Sequence, residues 1–99
     1  MASYRLSETA KEDLIRIHQF GVLKFGVAQA DKYFYAFFGQ FEIIAKQPYL
    51  FQPVDYIQPG YRRCVCGVDS IYYRIVETTV EIMSIIGRQD TEKVEKTSL

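Results

Sequence analysis

The sequence predicts an α+β domain: an N-terminal strand and an antiparallel helical hairpin packed on a C-terminal antiparallel β-meander. Three observations lead there. Residues 8–47 carry apolar side chains at helical spacing, broken once at Gly26. Residues 61–86 are dominated by β-branched and aromatic residues cut by short turns. A proline-rich segment, "PYLFQPVDYIQPG", separates the two runs. A sheet with one apolar face needs helices to cover it, and the hairpin offers two apolar stripes.

Each element has its own signal. Residues 3–7 read as a short strand. Ser7 or Thr9 can cap the helix that follows: Thr9 with Glu12 matches a capping box, and Glu8, Glu12 and Asp13 suit the positive end of a helix dipole. Ala10, Leu14, Ile17, Phe20 or Gly21, and Phe25 stripe one face, so the first helix runs from Glu8 to Phe25 and Gly26 stops it. The second runs from Val27 to before Pro48. Tyr33, Phe34, Phe37, Phe38, Phe41, Ile44 and Ala45 share a broad face; Asp31, Lys32, Gln40 and Lys46 lie away from much of it. So short a connection forces the helices antiparallel. The loop over residues 48–60 is anchored by Leu50, Phe51 and Ile57. Strands then cover residues 61–66, 70–76 and 79–86, with Gly67 and Asp69 making the first turn. Residues 88–99 form a polar tail.

With 99 residues, 48% of them apolar, the chain reads as one domain over residues 1–99. Twelve basic and twelve acidic residues cancel, so no general field attracts nucleic acid. The N-terminus lacks the apolar run of a signal peptide, and no stretch approaches the ~18 residues of a membrane span, which predicts a cytoplasmic protein without membrane contact.

The chemistry-bearing residues cluster in "YRRCVCGVDSIYYRIV". Cys64 and Cys66 would need further ligands to hold a metal, and the single histidine, His18, sits on a helix at the opposite end of the chain. No metal, cofactor or catalytic set is assigned; the cysteines read as strand residues and His18 as a helix-surface residue. Tyr61, Tyr72 and Tyr73, beside Arg62, Arg63 and Arg74, are candidates for a recognition surface. The arginines are either solvated and paired with acids such as Asp69 and Glu77, or turned to a groove where an anionic partner meets them.

The chain resembles the ParE branch of the RelE/ParE superfamily of type II toxin–antitoxin toxins. "LSETAKEDLIRI" is similar to the family's opening of the first helix, "FGVAQADKYF" to its inter-helix turn, "DYIQPGYRRCVCGVDSIYYRI" to its loop and hairpin, and "SIIGRQD" to its closing strand. The "PGYRR…G…S…YR" pattern and the terminal "GRQD" are the most specific parts. The resemblance implies a cytoplasmic poison of DNA gyrase, neutralised by a ParD-like antitoxin that is encoded beside it and that alone carries the pair to operator DNA. RelE-type relatives instead cut messenger RNA on the ribosome. Arg74 stands where that branch has a cleavage-site arginine, but the loop lacks its lysines and the tail its tyrosine. ParE toxins often have a histidine before the "GRQD" segment, and Ile86 stands there, which leaves a non-toxic, antitoxin-binding corepressor as a third reading. The expected target contacts are Arg63, Arg74, Gly87, Arg88, Gln89 and Asp90. The expected antitoxin contacts are Ile15, Phe20, Val22 and Leu23 on the first helix's outer side, with Arg62, Arg63 and Arg74; the alternative for the apolar four is a wide core stripe.

Overall fold

The computed structural model describes residues 3–87 in seven elements: β1 (Ser3–Leu6), α1 (Glu8–Phe25), α2 (Val27–Lys46), β2 (Gln52–Pro53), β3 (Tyr61–Cys66), β4 (Asp69–Val76) and β5 (Thr79–Gly87). The tail at residues 88–99 lies outside the described residues. The strands form one sheet in the order β1-β5-β4-β3-β2, with both helices packed on one face. The β3-β4-β5 meander is antiparallel as expected. β1 adds to it in parallel, Ser3 opposite Thr79 through Leu6 opposite Ile82, so the sheet is mixed and joins the two ends of the fold. β2 was not foreseen in the loop. Its proline sits on an edge strand, where a missing N–H is tolerated.

Ser7 caps α1, and Thr9 does not: Ser7 Oγ accepts from the Ala10 N–H at 3.0 Å. The same hydroxyl donates to the Met83 carbonyl at 2.8 Å, and the Ser7 N–H donates to the Ile82 carbonyl at 2.9 Å. These bonds serve an edge problem. β1 covers only the first part of β5, so backbone groups farther along that edge need other partners. α1 supplies them, with Asp13 accepting from the Ile85 N–H at 2.9 Å and Arg16 donating to the Ile85 carbonyl at 3.3 Å. Asp13 thus serves the sheet edge more than the helix dipole.

The core lies between hairpin and sheet. Ala10 and Leu14 of α1 and Phe37, Phe41 and Ile44 of α2 meet Cys64, Ile71, Tyr73, Val80, Ile82 and Ile85. A register shift in β5 skips Met83, which lets Ile82 and Ile85, three residues apart, both face inward. Three expectations are corrected. Leu50 is exposed, and the loop's buried anchor is Val54, whose N–H donates to the Tyr61 carbonyl at 2.8 Å. Gln40 turns inward and donates to Cys64 Sγ at 3.1 Å. Asp69 is buried as the first residue of β4, leaving Gly67 and Val68 as the turn.

Candidate functional site

α1 carries more apolar surface than the core uses. Ile15, Phe20 and Leu23 are 56%, 54% and 89% exposed, so they are not part of a wide core stripe; Val22 is half-buried. Phe25 and Val27, on either side of Gly26, extend the exposed patch around the hairpin tip. Single exposed apolar residues are ordinary, whereas five along one helix and the turn after it make a candidate docking surface. Beside it opens a cleft of about 620 Å³ between the hairpin tip, the β3–β4 turn and the end of β5. Ile17, Phe20, Gly21, Phe25 and Ala30 line its helical side, and Val68, Asp69 and Gly87 its sheet side.

Tyr33 holds the cleft's sheet wall in place. Its hydroxyl faces Asp69 Oδ2 at 2.7 Å and the Cys66 carbonyl at 2.8 Å, and accepts from the Val68 N–H at 3.3 Å. Burial, then the hydrogen bond to the Asp69 carboxylate, push the phenol well above its ordinary pKa, so it stays a donor. Gly67 makes this latch possible. Its φ of +62° is left-handed, and a Cβ there would sit 2.6 Å from the Tyr33 ring edge and hydroxyl.

The opposite sheet face is polar and cationic. Arg74 donates through Nε to Glu81 Oε1 at 2.6 Å, and Arg5 through Nε to Oε2 at 3.0 Å. Two guanidiniums hold the Glu81 carboxyl below its ordinary range, the Arg74 hydrogen bond being the larger cause. Arg74 therefore pairs with Glu81 and not with Asp69 or Glu77. Arg62, on the helix side of β3, donates to the Phe51 carbonyl at 2.7 Å and lies over the Tyr49 ring at 5.0 Å; it fastens the loop. Arg63 is half-buried with Gln52 at 3.4 Å. Of the three tyrosines expected at a recognition surface, Tyr73 is in the core, its hydroxyl donating to the Pro48 carbonyl at 2.6 Å, and Tyr72 is buried; Tyr61 alone is partly open. Ile86 is half-buried opposite Ser70, and Gly87 is buried opposite Asp69. Arg88, Gln89 and Asp90 lie outside the described residues. Arg62 therefore stands apart on the helix side, while Arg63 shares the open face with Arg74, and Arg74 shares Glu81 with Arg5.

The remaining candidates are structural. Cys64 and Cys66 are free thiols in the core; burial raises both, Cys66 to about 11. Among the described residues, no group of three or more His, Cys, Asp or Glu could hold a metal ion. His18 is not a simple surface residue. Its Nε2 lies 2.7 Å from Asp31 Oδ1 and its ring meets Phe34 edge-on, tying α1 to α2. Projecting both helical faces around Gly26 could have found that pair.

The family model described as the ParE toxin of the type II toxin-antitoxin system parDE matches residues 4–91. Toxin ParE1 of Caulobacter vibrioides is 38% identical over 86 residues, covering 87% of this chain and 88% of that protein. Toxin ParE1 of Mycobacterium tuberculosis is 28% identical over 92 residues, or 91% and 94%. Among solved structures, a chain of the chromosomal ParDE system from P. aeruginosa superposes with a TM-score of 0.78 at 20% identity, covering 88% of this chain and 96% of that one. A chain of the toxin-antitoxin complex RelBE2 from M. tuberculosis gives 0.58 at 22%, with 88% and 98% covered. At such identities the two structures speak for the fold, which is the α+β RelE/ParE fold. With the family pattern matched across nearly all the described residues and a relative this similar over most of both chains, the chain belongs to the ParE toxin family of type II toxin–antitoxin systems.

Proposed function

We propose that this chain is a non-enzymatic poison of DNA gyrase. A ParD-like antitoxin encoded beside it holds it inactive in the cytoplasm, and the pair represses its own operon through DNA contacts made by the antitoxin. The observation that carries the choice of target is the state of the sheet face. Tyr72 and Tyr73, two of the three tyrosines near Arg74, are buried, and the Arg74 Nε is held by Glu81 at 2.6 Å. Of the three, Tyr61, opposite Arg74, is the one partly open ring left for a base to stack on. The antitoxin contact is supported by the exposed Ile15, Phe20 and Leu23 beside the apolar cleft, which suit the apolar side of a helix laid in a groove. Arg63, with residues 87–90, is the proposed contact to the target.

The test is in two steps. Expression without antitoxin should arrest growth, and purified toxin should block supercoiling by gyrase. Deleting residues 89–99 should weaken that block while the domain stays folded. Undisturbed supercoiling at toxin excess overturns the target. Codon-linked messenger cleavage that disappears in Arg74→Ala would transfer the protein to the nuclease reading, and unimpaired growth to the corepressor reading.

A further inference from the structure

We infer that Arg5 and Arg74 form a paired guanidinium site on the open sheet face, spaced by Glu81, that receives the carboxylates of an acidic segment of a protein partner. Three strands build it: Arg5 stands opposite Glu81 in the β1–β5 register, and Glu81 opposite Arg74 in β4–β5. Each arginine reaches Glu81 through Nε alone, one to each carboxylate oxygen. The terminal amino groups of both make no hydrogen bond to a described residue, and they are the donors that grip a carboxylate in fork geometry. The side chains of Arg5 and Arg74 are 57% and 47% exposed, while that of Glu81 is only 16% exposed. Two positive charges against one leave the site an anion receptor whose arginines are already held in place.

A peptide fits better than a phosphate backbone. Glu81 between the guanidiniums opposes any unbroken run of anions, so the site suits isolated carboxylates spaced by uncharged residues better than a backbone charged at every unit. Val65 and the half-buried Val76 share this face with the arginines, which suits a segment mixing acidic and apolar residues. The site deepens the proposed antitoxin contact and rests on that reading for the partner's identity.

The experiment titrates a peptide of glutamates spaced by alanines into the nitrogen-15-labelled full chain at low salt. Binding should shift the Nε–Hε resonances of both arginines. Arg5→Ala and Arg74→Ala should each weaken affinity roughly three- to fivefold, the range of an exposed charge pair. Lys11→Ala, an equal loss of charge on α1, should change it less than twofold. Unmoved arginine resonances, or an equal loss in Lys11→Ala, overturn the site. So does a decauridylate that binds more tightly than the peptide and is lost with Arg5→Ala. A chain that arrests growth yet leaves these resonances still keeps the toxin reading and loses only this site.

Discussion

Replacing Gly67 by alanine should unseat the β3–β4 turn, and its size can be worked from two contributions. The backbone at Gly67 has φ of +62°, where a Cβ adds roughly 1–2 kcal/mol of strain. The new methyl also lies 2.6 Å from Tyr33 Cε1 and Oη, closer than real contacts allow, so the ring must withdraw. Withdrawal leaves the buried Asp69 carboxylate without its phenol donor at 2.7 Å, a further ~1–3 kcal/mol. The sum, about 2–5 kcal/mol, corresponds to a fall in melting temperature of at least ~8 °C for a domain of this size. Urea unfolding followed by circular dichroism measures it, with Tyr33→Phe and the double variant completing a cycle. Because Tyr33→Phe already removes the hydrogen bond, the second substitution should cost about 1–3 kcal/mol less in that background. A Gly67→Ala change under 0.5 kcal/mol, or strict additivity with Tyr33→Phe, refutes the latch.

Three other outcomes are expected. Tyr73→Phe should cost about 1–3 kcal/mol in the same unfolding assay, because the Pro48 carbonyl loses its 2.6 Å donor inside the protein. Glu81 has a folded-state pKa below the unfolded one, so its pairing stabilises the fold above about pH 4.5 and is lost as pH falls through the lowered value; Glu81→Gln should flatten the acid limb of a stability–pH curve there. Cys64 and Cys66 should resist iodoacetamide at pH 7.5 in the folded protein and react in denaturant, since burial raises both thiols; rapid labelling of the native chain contradicts this.

The helical hairpin was legible because burial follows a simple period: Phe37, Phe41 and Ile44 fall where a helix repeat puts them, and all three are fully buried. The meander was legible for a similar reason, although the skipped Met83 defeats strict alternation in β5. β2 was not, since two residues containing a proline carry no period. The parallel pairing of β1 with β5 joins residues 76 apart, which local patterns cannot report. Most of the site chemistry was hidden by the same distance. Asp13 and Arg16 reach Ile85 across the fold, and the Tyr33 hydroxyl reaches Asp69. Arg74 with Glu81 is the exception: each stands three residues from the turn at Glu77 and Thr78, so hairpin symmetry alone pairs them. The Tyr72 and Tyr73 pair carried a comparable clue, because adjacent strand residues face opposite ways and one of them had to enter the core.

That β1 pairs only with β5 has a consequence for how the protein comes into being. Every strand contact of residues 3–6, and the sheet edge that Ser7, Asp13 and Arg16 serve, waits for residues 79–87. On a ribosome adding ~5–20 residues per second, the helical hairpin is made several seconds before the strand that seats it. The nascent chain therefore carries Phe37 and Phe41 without a sheet to cover them, and closes in one late step dominated by pairing between its ends. The proposed antitoxin would then meet a domain whose helical hairpin is finished before its sheet, and late sheet closure sets the moment at which the folded toxin first exists.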